Sequence, residues 1–124
     1  MATAVLERLI SAPTDGAQGA WREICPLDEL EPLWGEAALL HGAQIALVRL
    51  PDDRVLAVDH WDPRAQANVM ARGIVGSAEG RTTLASPIYK QVYDLETGEC
   101  VSEPGPPLTT YPVRVASGQV QVFL

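Results

Sequence analysis

Ser86-Pro87-Ile88-Tyr89-Lys90-Gln91-Val92-Tyr93-Asp94-Leu95-Glu96-Thr97-Gly98-Glu99-Cys100 is the stretch on which the fold turns. Pro87 ends whatever strand precedes it, because it lacks a backbone N–H for a ladder. The runs 92–95 and 99–101 then read as two short strands closed by Glu96-Thr97-Gly98, whose composition suits a tight turn. A proline-containing loop feeding directly into a hairpin is therefore the central unit, and the rest of the chain is organised around it.

Upstream, three strand-like runs follow one another at 36–40, 44–49 and 55–59, joined by His41-Gly42 and by Pro51-Asp52-Asp53. Both connections are good turn chemistry, so a β-meander is expected. The run 21–25 reads as an edge strand, and Trp21 and Trp34 as core or core-edge plugs. Between 60 and 80, Pro63, Gly73, Gly76 and Gly80 punctuate an expected long loop, with one helical turn at 66–70. A short strand follows at 82–85. Downstream, 103–108 is too proline-rich for regular structure, and Val113, Val115, Val120 and Val122 alternate around Ser117-Gly118 as a terminal hairpin. Residues 1–20 read as a flexible leader with a short helix over 3–10, and 21–124 as one β domain. Nine or so short strands with almost no helix predict an all-β sandwich or open barrel.

Composition bounds the function. The chain has 124 residues, 47% hydrophobic, with ten Gly and ten Pro, enough for one compact domain of many turns. A formal net charge of −7 and the lack of any basic run speak against nucleic acid as a partner. No apolar run of spanning length occurs, which speaks against a membrane, and no convincing export signal or disulfide pattern opens the chain; a cytoplasmic location is expected. No phosphate-cradling glycine loop, zinc-protease motif or catalytic triad spacing can be assembled, so no catalytic or cofactor-binding residue is expected in this chain.

Read together, Val58-Asp59-His60-Trp61-Asp62-Pro63-Arg64, Arg72-Gly73-Ile74-Val75-Gly76 and the stretch from Ser86 to Cys100 resemble a Rieske domain from about Trp21 to Leu124. Metal-binding members of that family read C-P-H and C-P-x-H in two loops, the second running into a G-W-x-F-D-L-x-T-G hairpin. Their two-iron cluster takes two thiolates and two imidazoles from those loops. Aligned on Pro63 and Pro87, the four ligand positions here hold Asp62, Arg64, Ser86 and Tyr89. An arginine cannot surrender its proton to a metal. Cys25, His41, His60 and Cys100 form no C-x-H or C-x-x-H pair, so no metal site is expected from them either.

The pattern is similar to one branch of the Rieske superfamily, the small subunits of NAD(P)H-dependent nitrite reductase. Those chains read D-N-x-D-P-F, S-R-G-[I/L]-V and S-P-x-x-K-Q. Asp59, Asp62 and Pro63, then Arg72 to Val75, then Ser86, Pro87, Lys90 and Gln91 match. His60, Arg64 and Ala71 depart from it. The resemblance implies a Rieske-like β domain and a non-catalytic subunit that docks on a large subunit carrying siroheme, [4Fe–4S], FAD and the NAD(P)H site. It implies a role in reducing nitrite to ammonia during nitrate assimilation. Asp62, Arg64, Arg72, Ser86, Tyr89, Lys90 and Gln91 are then the candidate partner interface. The competing reading of Asp62 and Ser86 is that they hydrogen-bond loop amides and hold the tip together. A genuine electron-carrying Rieske ferredoxin and a free-standing interaction module are the alternative functions.

Overall fold

The computed structural model describes residues 19–124; the expected helix over 3–10, and all but Gly19 and Ala20 of the expected leader, lie outside the described residues. The described residues form twelve short strands and two single-turn 3-10 helices, arranged as several antiparallel sheets.

The meander is present as β2 (Gly35–Leu40), β3 (Ala43–Arg49) and β4 (Val55–Asp59), extended on its far side by β10 (Thr110–Tyr111). β3 is central in this sheet and both of its faces are covered. Ile45 and Leu47 point into one apolar cluster, Ala46 and Val48 into another. That is why Ile45-Ala46-Leu47-Val48 is a continuous apolar run rather than an alternating one. The first cluster lies under the sheet formed by β1 (Trp21–Pro26), β12 (Gln119–Phe123) and β11 (Val113–Ala116), which contributes Ile24, Cys25, Val120 and Val122. The second lies toward the sheet of β7 (Ile74–Ala78), β8 (Arg81–Ala85) and β9 (Val92–Asp94), which contributes Leu84 and Tyr93. Each cluster removes several large side chains from water, at about 25 cal/mol per Å² of apolar surface.

Some expectations are corrected. Residues 60–80 are not an open loop. Trp61–Asp62 (β5) pairs with Ala67–Asn68 (β6), the helical turn sits at Met70–Arg72 rather than 66–70, and Ile74–Ala78 is a strand. Trp21 and Trp34 are not core plugs, being 37% and 62% exposed. Strand parity explains the first. Arg22 and Ile24 take the inward positions of β1, so Trp21 faces out, edge-on to Phe123 and under the Arg114 guanidinium. Trp34 lies outside, next to a point where the chain packs closely on another segment. A Cβ at Gly35 would lie 2.2 Å from the carbonyl oxygen of Ala71.

The expected strand over 99–101 is reduced to a single bridge, Cys100 opposite Tyr93, and the turn before it shows why its motif reads as it does. Asp94 Oδ1 accepts from the amides of Glu96 (2.7 Å) and Thr97 (3.2 Å), and Thr97 Oγ1 accepts from the amide of Glu99 (3.1 Å). Gly98 then takes φ +82°, in the left-handed region, with its absent Cβ position 2.1 Å from the Leu108 carbonyl. Aspartate, threonine and glycine each answer one backbone requirement of this turn.

Candidate functional site

Two loops meet at one end of the domain. The first leaves β4 at His60, which is 7% exposed. Its carbonyl accepts from the amides of Val69 and Met70 (2.9 and 3.0 Å), and its Nδ1 accepts from the Ala71 amide at 3.0 Å. The imidazole therefore carries its proton on Nε2 when neutral. Burial pushes its pKa below the ordinary value, and the nearby Arg72 guanidinium lowers it further. With the His60 carbonyl and Nδ1 both bonded to amides of 69–71, where the helical turn begins, the loop is pinned at its base.

At the apex, Asp62 Oδ1 accepts from the amides of Arg64 (2.9 Å) and Ala65 (3.2 Å), folding the chain over Pro63. The second loop is closed by its own ends: the Ser86 amide donates to the Gln91 carbonyl (2.9 Å), and the Lys90 amide to the Ser86 carbonyl (3.2 Å). Lys90 takes φ +68° to make that turn. Ser86 Oγ also accepts from the Ile88 amide at 3.2 Å.

The loops are joined by side chains. Ser86 Oγ donates to Asp62 Oδ2 at 2.5 Å, and Gln91 Nε2 donates to Asp62 Oδ1 at 2.8 Å and to the Tyr93 hydroxyl at 3.0 Å. Asp62, Ser86 and Gln91 are 0%, 1% and 3% exposed. One carboxylate thus gathers donors from both loops inside a low-dielectric space, where each bond is strengthened and each missing partner would be expensive. Tyr93 closes the floor, and burial raises its pKa. Sequence reasoning did not place Tyr93 in this network; its signal was its position two residues beyond Gln91 on an inward strand face.

The candidate interface residues therefore separate. Asp62, Ser86 and Gln91 are internal and hold the loops to each other. Arg64, Tyr89 and Lys90 are on the outside, with exposed Trp61 and Ile88 beside them in the two loops. The Arg64 guanidinium lies 4.9 Å from the Tyr89 ring centre and pairs with Glu103 at 2.6 Å, a partner that sequence reasoning missed because it is 39 residues away. Arg72 is exposed where the first loop ends and β7 begins.

This donor set does not suit a two-iron cluster. A carboxylate committed to hydrogen bonds, a hydroxyl that bonds it, a guanidinium and an exposed phenol replace the required thiolates and imidazoles. Cys25 is packed in the first apolar cluster, Cys100 lies near Ser102, and His60 is held by the Ala71 amide. Among the described residues, no three of His, Cys, Asp and Glu come together as a metal-holding group.

The architecture and the two-loop tip define a Rieske-like β domain with a hydrogen-bonded tip. Residues 20–123 match the family model of the Rieske-like [2Fe-2S] domain. The chain is 35% identical over 103 residues to the nitrite reductase (NADH) small subunit of Salmonella typhimurium, covering 82% of this chain and 95% of that one. A crystal structure from Mycobacterium tuberculosis, of a chain assigned as an NADH-dependent nitrite reductase small subunit, superposes with a TM-score of 0.82 at 42% identity. It covers 86% of this chain and 96% of that one. The nitrite reductase [NAD(P)H] large subunit of Klebsiella oxytoca contains a region 38% identical over 102 residues, 82% of this chain and 11% of that polypeptide. The chain belongs to the Rieske-like family and, within it, to the nitrite reductase small subunits.

Proposed function

We propose that this chain is a non-catalytic subunit of a cytoplasmic NAD(P)H-dependent nitrite reductase. It docks on a large subunit bearing siroheme, [4Fe–4S] and FAD, and supports reduction of nitrite to ammonia in nitrate assimilation. The observation that carries this reading is the Asp62–Ser86–Gln91 network, which fills the meeting point of the two loops with hydrogen bonds while an outer rim stays exposed. Such a tip is tied together by its own side-chain hydrogen bonds, and preorganisation lowers the ordering penalty of binding. The rim of Arg64, Tyr89 and Lys90 has the aromatic and cationic character of interface anchors, on a chain whose net charge is −7.

The Klebsiella polypeptide supports the choice of partner, since there a domain like this one is part of the large subunit's own chain. Among the described residues no helix is long and apolar enough to cross a membrane, which accords with action alongside a soluble partner.

The test is nitrite reduction by the large subunit with and without this chain, together with co-purification of the two. Tyr89→Ala and Lys90→Ala are expected to weaken association while leaving the β-sheet circular dichroism unchanged. Unchanged association of the double variant removes the tip as the docking face. Stoichiometric iron and sulfide in the purified chain would instead support the electron-carrying ferredoxin reading.

A further inference from the structure

The sheet β7–β8–β9 ends on one side at β7, which is paired to β8 alone. The β7–β8 hairpin turns over Glu79 (φ +52°) and Gly80 (φ +81°), a two-residue turn that makes Ala78 and Arg81 the hydrogen-bonded closing pair. Alternation along the ladder then gives Gly76–Thr83 and Ile74–Ala85 the inward bonds, and turns the N–H and C=O of Val75 and Ser77 to the open side. Thr82 confirms the parity: it stands opposite Ser77, and its carbonyl accepts from Leu95 on the β9 side at 2.9 Å. Among the described residues no other segment bonds to the backbone of 74–78.

Exposed edges are normally blunted by lysine, proline, a bulge or a covering loop. Ile74-Val75-Gly76-Ser77-Ala78 has no charge and no proline, and its register with β8 is regular. Ile74 is 68% exposed, more than any other large apolar side chain described. It shares one face of the strand with Gly76 and Ala78, so that face is bulky at one end and small at the other. Charge runs the same way: Arg72 precedes the strand, Glu79 follows it, both are exposed, and neither makes a salt bridge among the described residues.

We infer that β7 is a self-pairing edge, whose occupant is β7 of a second copy of this chain, antiparallel about Gly76. In that register Val75 faces Ser77 of the second copy, and the two exchange both backbone bonds; the mirrored pair does the same. Ile74 of each copy covers Ala78 of the other, large against small. Gly73 falls opposite Glu79 of the second copy, which brings Arg72 within reach of that carboxylate. Backbone parity, side-chain size and charge are each complementary about the same centre, as an isologous contact requires. An unrelated strand would satisfy the first of these without the other two.

The inference needs no large subunit, and it is tested on the full chain alone by sedimentation equilibrium from micromolar to millimolar concentration at low salt. A concentration-dependent dimer is expected, with amide exchange at Val75 and Ser77 slowing as it forms. Ile74→Lys is expected to weaken dimerisation roughly tenfold or more, since it removes two cross-strand contacts at once. Arg72→Glu is expected to weaken it also, and the double variant Arg72→Glu/Glu79→Arg to restore it; circular dichroism checks that each variant is folded. A chain that stays monomeric throughout overturns the inference. So does a dimer indifferent to these changes.

Discussion

Ser86 and Asp62, 24 residues apart in the chain, meet side chain to side chain at 2.5 Å in a space closed to water. Each belongs to a different loop, and each also organises its own. Asp62 holds the amides of Arg64 and Ala65, and Ser86 holds that of Ile88. The contact therefore couples two local turns into one tip.

Removing the shared acceptor should be far more damaging than removing one donor. Asp62→Ala takes the shared acceptor from Ser86, Gln91 and two amides, leaving Gln91 only its bond to the Tyr93 hydroxyl. It is expected to lower unfolding stability by about 3 kcal/mol, against about 1 kcal/mol for Ser86→Ala. Urea denaturation of both variants checks the ratio, and similar losses would show that the network does not act through Asp62.

Acid should loosen the first loop through His60. Its folded pKa lies below the unfolded value of about 6.5, because the buried ring beside Arg72 resists a charge. The folded state thus binds fewer protons, so the His60 contribution is complete above about pH 6.5 and is lost as pH falls through the folded value. Protonating Nδ1 also breaks the bond from the Ala71 amide. Urea midpoints at pH 7.5, 6.5 and 5.5 should fall in the native chain and fall less in His60→Asn, whose side-chain oxygen can accept the same amide.

The second hairpin should not tolerate a side chain at its glycine. Gly98→Ala meets an unfavourable φ of +82° and a Cβ position 2.1 Å from the Leu108 carbonyl. A loss of about 3 kcal/mol is expected. A thermal midpoint equal to that of the native chain would mean that the segment around Leu108 moves aside freely.

Association and stability should separate at the tip. Substitutions of the exterior Tyr89 and Lys90 are expected to change binding to the large subunit with under about 0.5 kcal/mol of stability change, as for exposed positions generally. Gln91→Ala, inside the network, should do the opposite, and titration calorimetry beside denaturation distinguishes the two.

Much of the fold is readable because its elements are local. The meander, the terminal hairpin and the hairpin at Asp94–Gly98 each announce themselves by apolar alternation between turn residues, and neighbouring strands pair with little chain between them. β7 escaped this reading because it holds no alternation. Its burial pattern is exposed almost throughout, and it is a strand only because β8 supplies its bonds. The exposure of Trp34 also escaped it, since whether a large aromatic is covered depends on what long-range packing brings beside it.

The candidate site divides in the same way. The sequence by itself determined the residue types at the two loops, and with them the expectation that thiolate and imidazole are missing where a cluster would need them. It left open whether Asp62 and Ser86 face a partner or each other. Only the tertiary structure decided that, by bringing together positions 24 and 29 residues apart, burying Asp62, Ser86 and Gln91, and turning Arg64, Tyr89 and Lys90 outward. The physical reason is that a polar side chain's role depends on whether water or protein supplies its partner, and long-range packing sets that choice.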